Sequence, residues 1–304
     1  MTLWIVVSAV LGALFLYGAT VMYCAEMFTR SRRRRVQGTP EEVGLRFEDV
    51  RFRTPDMAVL RGWYLESPGA RASVVLVHGD EGTRADAEVG LLRLQRAYVR
   101  NGFNVFAFDL RGRGESSGER DRLGSAEQVD LEAAVGYVRR RSGGLPVVLH
   151  GFELGAAIAI QGAADGLDVS ALISDSAFSS ARNHLRLRWR RLPSFVFGPA
   201  CWVARRVYHA DIDALRPVAA MARLKIPLLL VHGAQDDVVP LSCAHNLLAA
   251  SLSPGSELWV IPEAGHLQAY KVASDEYVRR CMRVIDAAVP ARTMRHATSA
   301  LAAV

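Results

Sequence analysis

The chain has 304 residues, half of them hydrophobic, and a formal net charge of +6. The basic charge is carried almost wholly by arginine, and the arginines are scattered among acidic residues with no nucleic-acid recognition module, so nucleic acid is not an expected partner. No linker, repeat or low-complexity block divides the chain after residue 45, which favours one large domain.

The N-terminal stretch Thr2 to Ala25 carries no charged residue. As a helix it would extend about 36 Å, slightly more than the roughly 30 Å hydrocarbon layer of a bilayer. Five arginines follow within six residues, at positions 30 and 32–35. Such a basic flank is retained in the cytoplasm, so residues 1–28 are predicted to be a single-pass anchor in the cell membrane, with the remaining chain cytoplasmic.

A cleaved signal peptide is the alternative for this stretch. No basic residue precedes the apolar run, the run is long, and no A-x-A site follows it, all of which favour a retained anchor. The four cysteines, Cys24, Cys201, Cys243 and Cys281, have neither metal-type nor redox-type spacing. Free thiols are expected, in agreement with a reducing compartment.

The next elements are predicted in chain order from hydrophobic periodicity. Residues 46–53 and 58–66 alternate polar and apolar side chains around a turn and predict an antiparallel hairpin. Six short apolar runs predict strands buried on both faces: 74–78, 104–109, 147–150, 171–175, 228–232 and 258–262. Helical patterns alternate with them: 84–101, 125–141, 154–165, 240–252 and 268–288. This alternation predicts an α/β fold with a mostly parallel eight-stranded sheet, helices on both faces, and a short helical cap at about 177–222.

One strand-to-helix junction has the pattern of a nucleophile elbow, Gly151-Phe152-Glu153-Leu154-Gly155. In such an elbow the central side chain projects from a strained turn, and the flanking glycines avoid collisions with the neighbouring strand and helix. The position where a serine is expected holds Glu153. Either the chemistry uses a carboxylate or there is none.

Two other strand ends carry ionisable side chains. Asp236 follows the strand that ends at His232-Gly233, and His266 follows the last predicted strand. Ligands of parallel sheets gather at the carboxyl ends of the strands. Nucleophile position, acid and histidine therefore stand in the chain order of the α/β-hydrolase triad.

These motifs, together with segments 44–50, 60–65, 75–79 and 108–118, resemble the α/β-hydrolase superfamily, and within it the membrane-anchored, serine-aminopeptidase-like branch. The resemblance covers roughly residues 40–288. It implies a basic juxtamembrane linker at 29–43, a hydrolase domain at 44–289 and a C-terminal tail at 290–304. It also implies that Asp236 orients His266, that His266 is the general base, and that the backbone N–H groups of Asp80 and Leu154 form an oxyanion hole. No cofactor is expected.

The leading functional hypothesis is a membrane-anchored hydrolase that acts on a small or lipid-like ester, amide or related electrophile through Glu153, His266 and Asp236. Aspartate nucleophiles on this fold occur in the haloalkane dehalogenase and epoxide hydrolase relatives, and Glu153 would attack carbon or orient water in the same way. The alternative is a catalytically inactive protein that binds a ligand or a protein partner in the same cavity. In that alternative Glu153 forms an ion pair with His266 and holds the imidazole protonated.

Four further features are interpreted from the sequence. Asp80, Glu81, Glu153 and His266 could converge as metal ligands, although no metal is the expected outcome. Asp109 and Arg111 are predicted to form a structural pair, and Asp237 to be a solvated neighbour of Asp236. The basic stretch 185–192 in the cap would lie against an anionic membrane surface or form an ordinary amphipathic helix.

Overall fold

The computed structural model describes residues 1–289, and the predicted C-terminal tail lies outside the described residues. Its centre is an eight-stranded sheet in the order β1-β2-β4-β3-β5-β6-β7-β8. The strands are β1 Glu48–Arg53, β2 Val59–Leu65, β3 Ala72–Val77, β4 Phe103–Asp109, β5 Val147–Phe152, β6 Ala171–Asp175, β7 Leu228–Gly233 and β8 Glu257–Ile261. Only the pairs that involve β2 are antiparallel, so the predicted mostly parallel sheet is confirmed.

Helices cover both faces of the sheet. The helices of the described chain are α1 Thr2–Thr29, α2 Leu91–Arg100, α3 Glu127–Arg141, α4 Leu154–Ala164, α5 Ala181–Arg188, α6 Ser194–Val207, α7 Pro217–Ala220, α8 Ser242–Ala250, α9 Ala269–Val272 and α10 Ser274–Ala288. Single turns of 3-10 helix lie at Pro40–Val43 and Met221–Arg223. One core cluster packs α3, α4 and the cap helices on one face, and a second packs α2 and α10 on the other. Because both faces are covered, every residue of β3 to β7 is buried.

The helix predicted at 84–101 begins only at Leu91. Arg84 is buried ahead of it, and its backbone N–H donates to Asp109 Oδ1 over 2.8 Å. Its guanidinium also pairs with Asp109. Gly90, with φ of 82°, then turns the chain into the helix, a conformation that glycine adopts without strain.

The predicted pair between Asp109 and Arg111 is wrong. Asp109 is taken by Arg84, whereas Arg111 donates to Asp130 over 2.7 Å and to Asp56 over 2.7 Å. The physical reason is a turn directly after β4, closed by a hydrogen bond from Arg113 N–H to the Leu110 carbonyl, which separates the two side chains.

The C-terminal part of α1 is docked on the cap. Val21, Cys24, Ala25 and Phe28 are buried, and the Phe28 ring lies 5.1 Å from Trp189. Helix α1 is also apolar enough and long enough to cross a membrane. The chain that follows α1 is bound to the domain as well, because the Arg33 guanidinium donates to three backbone carbonyls, those of residues 114, 116 and 118, over 2.7–2.8 Å.

Candidate active site

Glu153 stands at the turn between β5 and α4 with φ of 47° and ψ of −106°. Positive φ is strained for a residue with a Cβ and persists only where the surroundings fix it. The two glycines are required by contact: a Cβ on Gly155 would lie 2.1 Å from the Val77 carbonyl oxygen, and one on Gly151 would lie 2.5 Å from Ala156 Cα. The junction therefore has the geometry of a nucleophile elbow with a carboxylate at its tip.

Both carboxylate oxygens of Glu153 have partners. Oε2 accepts a hydrogen bond of 2.7 Å from the backbone N–H of Asp80, and Oε1 lies 3.3 Å from His184 Nε2. Burial acts to raise the pKa of Glu153, but the hydrogen bond and charge of His184 outweigh it and hold the pKa below its usual value. The Glu153 side chain is thus a buried anion.

The sequence-based alternative named the wrong partner for Glu153. His266 adds only a weaker electrostatic contribution, and the direct contact comes from His184 on cap helix α5. The His184 ring stacks on Phe178 at 4.7 Å, which fixes its orientation. His184 lies inside a helix and not directly after a strand. The expectation that functional residues follow the strand ends therefore could not identify it. Helical spacing places it on one face of α5 with Ala181, Leu185 and Arg188, the one sequence signal for a shared surface.

The backbone N–H of Asp80, a predicted oxyanion donor, is already engaged by Glu153. The Asp80 side chain is held by Arg113 and, over 2.8 Å, by Arg188. Burial raises the pKa of this carboxyl, but the two arginines and a hydrogen bond from Asp121 bring it well below its ordinary value. Leu154, the second predicted donor, is the first residue of α4, beside Glu153.

The acid and the histidine are arranged as the resemblance implies. Asp236 Oδ2 lies 2.9 Å from His266 Nδ1, and Asp236 Oδ1 accepts the N–H groups of Val238 and Val239 over 3.0 and 2.7 Å. Burial acts to lower the pKa of His266, but Asp236 outweighs it and raises that pKa above its usual value. The hydrogen bond from Nδ1 to Asp236 leaves Nε2 as the nitrogen that can take a proton from water.

Glu153 lies where two cavities meet. A cavity of about 690 Å³ contains Glu153, His266 and the exposed Asp237 in its wall, and we call it the polar lobe. A smaller cavity of about 50 Å³, also lined by Glu153, is the apolar lobe, whose apolar wall is formed by Met27, Phe28, Leu123, Leu154, Phe178, Ala181, Leu185 and Trp189. Arg30, Arg32 and Asp121 line it too. Asp80, His184 and Arg188 border both lobes. The structure therefore brings Glu153 and His266 to one cavity, with Asp236 bonded to His266 outside the cavity wall, and adds an apolar space that the sequence did not indicate.

Arginines from two segments, the chain after α1 and the cap helix α5, bind the acidic side chains of Asp80 and Glu81 at the edge of the cavities. Glu81 accepts hydrogen bonds from Arg32, Arg34 and Arg188 over 2.6–2.7 Å. Asp80 and Glu81 are thus neutralised by cations of the protein, which argues against the metal interpretation. Within residues 1–289, no cluster of three or more His, Cys, Asp or Glu side chains could hold a metal ion.

Two of the four arginines in the basic stretch of the cap are bonded inside the protein. Arg188 faces the site, and Arg186 donates to the Leu192 carbonyl over 2.5 Å while its guanidinium lies 5.0 Å above the Phe197 ring. These two arginines therefore do not form the free basic face that contact with an anionic membrane would require.

Comparison with known proteins agrees with the fold and with the order of the motifs. Residues 68–210 match the family of the serine aminopeptidase, S33. Uncharacterized protein Rv2307c of Mycobacterium tuberculosis is 30% identical over 225 residues, which cover 72% of each chain. Uncharacterized protein YfhR of Escherichia coli K12 is 28% identical over 246 residues, covering 77% of this chain and 78% of YfhR. The structure of the Pyrococcus furiosus esterase Pf2001 superimposes with a TM-score of 0.70 and 23% identity, covering 86% of this chain and 98% of the esterase.

The sheet order, the elbow and these similarities define a hydrolase-like protein of the α/β class. The chain belongs to the α/β-hydrolase superfamily.

Proposed function

We propose that this protein is a membrane-anchored hydrolase that attacks an electrophilic carbon with the Glu153 carboxylate and hydrolyses the resulting glutamyl ester. The observation that carries the proposal is the 2.7 Å hydrogen bond from the Asp80 N–H to Glu153 Oε2. It places one carboxylate oxygen on the predicted oxyanion donor, while the other, Oε1, lies 3.3 Å from His184 Nε2.

This position selects the kind of electrophile. A substrate carbonyl attacked in the serine manner needs the Asp80 N–H for its own oxygen, and here Glu153 occupies that donor. Acyl transfer to Glu153 would also give a high-energy mixed anhydride. A saturated carbon that carries a leaving group, or a carbon of a strained ring, needs no oxyanion donor during attack, so such electrophiles are favoured over esters and amides.

Two steps then balance. Oε1 forms a bond to the substrate carbon while the bond to the leaving group breaks and the leaving group departs with the electron pair. Water then loses a proton to His266 Nε2 and attacks the carboxyl carbon of Glu153. The oxygen that becomes negative in this second step is Oε2, which already lies on the Asp80 N–H. Collapse breaks the bond from the Glu153 carboxyl carbon to Oε1, and the released alcohol takes the proton from His266. The new carboxyl group gives its remaining proton to water, which regenerates the carboxylate.

The remaining contacts support these roles. The distance of 3.3 Å from Oε1 to His184 Nε2 is longer than the 2.7 Å bond at Oε2, so Oε1 is the less tightly held oxygen. His184 keeps the carboxylate ionised before attack. Asp236 stabilises the imidazolium that forms when His266 takes the proton.

The membrane anchor is the second part of the proposal. Its support is the apolar length of α1 and the arginines that follow it, which together favour a single-pass helix with a cytoplasmic domain. The burial of Phe28 against Trp189 argues against a cleaved signal peptide, because removal of α1 would expose both aromatic rings. Membrane fractionation and carbonate extraction of the full chain test this part. Release into the soluble fraction, or a mature chain without α1, would contradict it.

A second candidate function is favoured by one observation. Both oxygens of Glu153 are paired inside the protein, as in a carboxylate with only a structural role. The protein would then bind a ligand or a protein partner in the cavities without catalysis.

The deciding experiment uses the full chain in detergent micelles and a panel of alkyl halides, epoxides and activated esters. In the His266→Gln variant, the alkyl ester on Glu153 should accumulate and be found by peptide mass spectrometry. In the unsubstituted protein, turnover in water enriched in heavy oxygen should place that isotope in the Glu153 carboxylate. Absence of both adduct and turnover across the panel would establish the non-catalytic function, and an adduct at another residue would refute the role of Glu153.

A further inference from the structure

We infer that the membrane anchor is a wall of the substrate site, and that the substrate is a membrane-dissolved amphiphile whose alkyl chain enters the apolar lobe from the bilayer. This inference rests on the proposed function and adds the substrate class. It is drawn from the lining of the apolar lobe, from the contact of the uncharged part of α1 with the cap, and from the exposed face of α6.

The apolar lobe is built jointly by the anchor and the cap. Met27 and Phe28 at the end of α1 line it together with Leu185 and Trp189 of the cap, and Glu153 lines it as well. The volume is small, about 50 Å³, and charged side chains also line the cavity: Arg30, Arg32, Asp80, Asp121 and Arg188. An apolar wall beside charged groups and a reactive carboxylate suits an amphiphile, whose hydrocarbon chain packs on the wall while its polar end meets the charges.

The contact of α1 with the cap places part of the cap at the membrane surface. Tyr17 is in contact with the cap, since its hydroxyl donates to the Phe195 carbonyl over 2.7 Å. Tyr17 lies inside the uncharged stretch Thr2–Ala25, which is the part of α1 that can enter the hydrocarbon core. When this stretch enters the core, Tyr17 and the residues of α6 next to it lie at or below the membrane surface.

The surface of α6 agrees with this depth. Phe195, Trp202 and Val207 are 67%, 61% and 50% exposed. All three belong to α6, the helix that packs on α1. These side chains extend the exposed apolar surface of α1. Because the two surfaces are continuous, we assign the lipid bilayer as the partner that covers both. Leu252 is 76% exposed but belongs to another part of the molecule, after α8, and serves as an internal reference.

In this inference the two lobes have different roles in one reaction. The alkyl chain of an amphiphile lies in the apolar lobe, its electrophilic carbon reaches Oε1 of Glu153, and the polar lobe brings water to His266. The substrate class is a long-chain amphiphile with a leaving group or strained ring near its polar end.

The first test measures membrane contact without catalysis. The full chain is reconstituted into vesicles of phosphatidylethanolamine and phosphatidylglycerol that contain a phospholipid with a photoreactive diazirine in its acyl chain, and labelled residues are mapped by mass spectrometry. Label is expected on Phe195 and Trp202 and, inside the lobe, on Phe28 or Trp189. The equally accessible Leu252 and Met57 should remain unlabelled. Label that does not favour α6 over Leu252 and Met57 would overturn the inference.

The second test measures chain-length preference by the rate at which Glu153 is trapped in the His266→Gln protein. Butyl, octyl and dodecyl epoxides should react with rates that rise by up to about fourfold per buried methylene until the lobe is filled. Adding Leu185→Trp, which fills the lobe, should remove most of the advantage of the longer chains. Leu252→Trp is the matched control, with the same change at an exposed site outside both lobes.

The outcomes separate the two proposals. If the butyl epoxide alkylates Glu153 but chain length and Leu185→Trp have no effect, the proposed function stands and the substrate inference fails. If none of the epoxides modifies Glu153, the proposed chemistry fails, and the photolabelling pattern alone decides whether α6 lies in the bilayer. If Leu185→Trp does not fold, Ala181→Leu, at another wall of the same lobe, takes its place.

Discussion

The two sides of the site differ in how closely they follow a serine hydrolase. On one side, Asp236 and His266 lie 2.9 Å apart and have the arrangement that such enzymes use to activate a nucleophile. On the other side, the elbow holds Glu153, which occupies the Asp80 N–H and is paired with His184 of the cap. The difference teaches that the acid and the histidine keep the arrangement of a serine hydrolase, whereas the elbow carries a buried carboxylate with partners of its own.

The largest effect is expected from a change at the elbow that makes the two sides match. Glu153→Ser should lower turnover of the alkyl electrophile by at least about 10⁴-fold, because the carboxylate nucleophile is gone. The same variant should gain esterase activity and fluorophosphonate labelling at position 153, because the Asp80 N–H becomes free for a substrate oxyanion. Glu153→Gln is the control, which should lose the first activity without gaining the second. A folded but inert Glu153→Ser protein would show that the acid and histidine side is also lost.

A smaller effect is expected on the acid side. Asp236→Asn should lower turnover about 10³-fold, since the imidazole loses its orientation and the charge that stabilises its protonated form. The alkylation step does not use His266, so trapping of Glu153 should persist and the ester should accumulate. Rapid-quench mass spectrometry distinguishes the two steps. Equal loss of alkylation would contradict the division between the two sides.

The pH dependence of turnover follows from the same pair. The pKa of His266 is raised above its usual value near 6.5, and the base must be neutral, so hydrolysis should increase as the pH rises through that pKa. Asp236→Asn should move this midpoint down by roughly one pH unit. Stability should change in the opposite direction. The raised pKa of folded-state His266 stabilises the fold at low pH, and this stabilisation is lost as the pH rises through that pKa. A midpoint that does not move would show that His266 does not limit the rate.

A still smaller change is expected at His184. His184→Phe keeps the stack on Phe178 but removes the partner of Oε1, so the pKa of Glu153 should rise. The acid limb of kcat/KM for alkylation should then move up by roughly one pH unit. His184→Gln, which can still donate to Oε1, should restore part of the profile. A change in rate without movement of the limb would indicate that His184 acts on packing alone.

The smallest effect is expected at the neighbour of the triad acid. Asp237 is exposed, unlike the acid beside it, so Asp237→Asn should change kcat/KM by less than about threefold. Steady-state kinetics beside Asp236→Asn gives the comparison within one loop. A large loss at Asp237 would reverse the assignment of the acid.

The parts that the sequence could predict are those set by local pattern. The apolar runs predicted the strands, and Gly151 and Gly155 marked the elbow, because each depends on residues close along the chain. The partners of Glu153 and Arg111 depend on contacts between distant segments. His184 is brought to the elbow only by the fold of the cap, and Asp130 to Arg111 only by the packing of α3, so neither pair leaves a signature in spacing.

The three backbone carbonyls that receive Arg33 have a consequence for how the protein searches for substrate. A flexible tether would let the domain sample every height and tilt that its length permits. The Arg33 guanidinium is bonded to the loop after β4, and the end of α1 is docked on the cap. Together these contacts fix the position and orientation of the domain relative to α1. In the membrane-anchored protein that we propose, the cavity moves with α1 as a rigid unit, so encounters with substrate are governed by diffusion within a plane and not by motion of a linker.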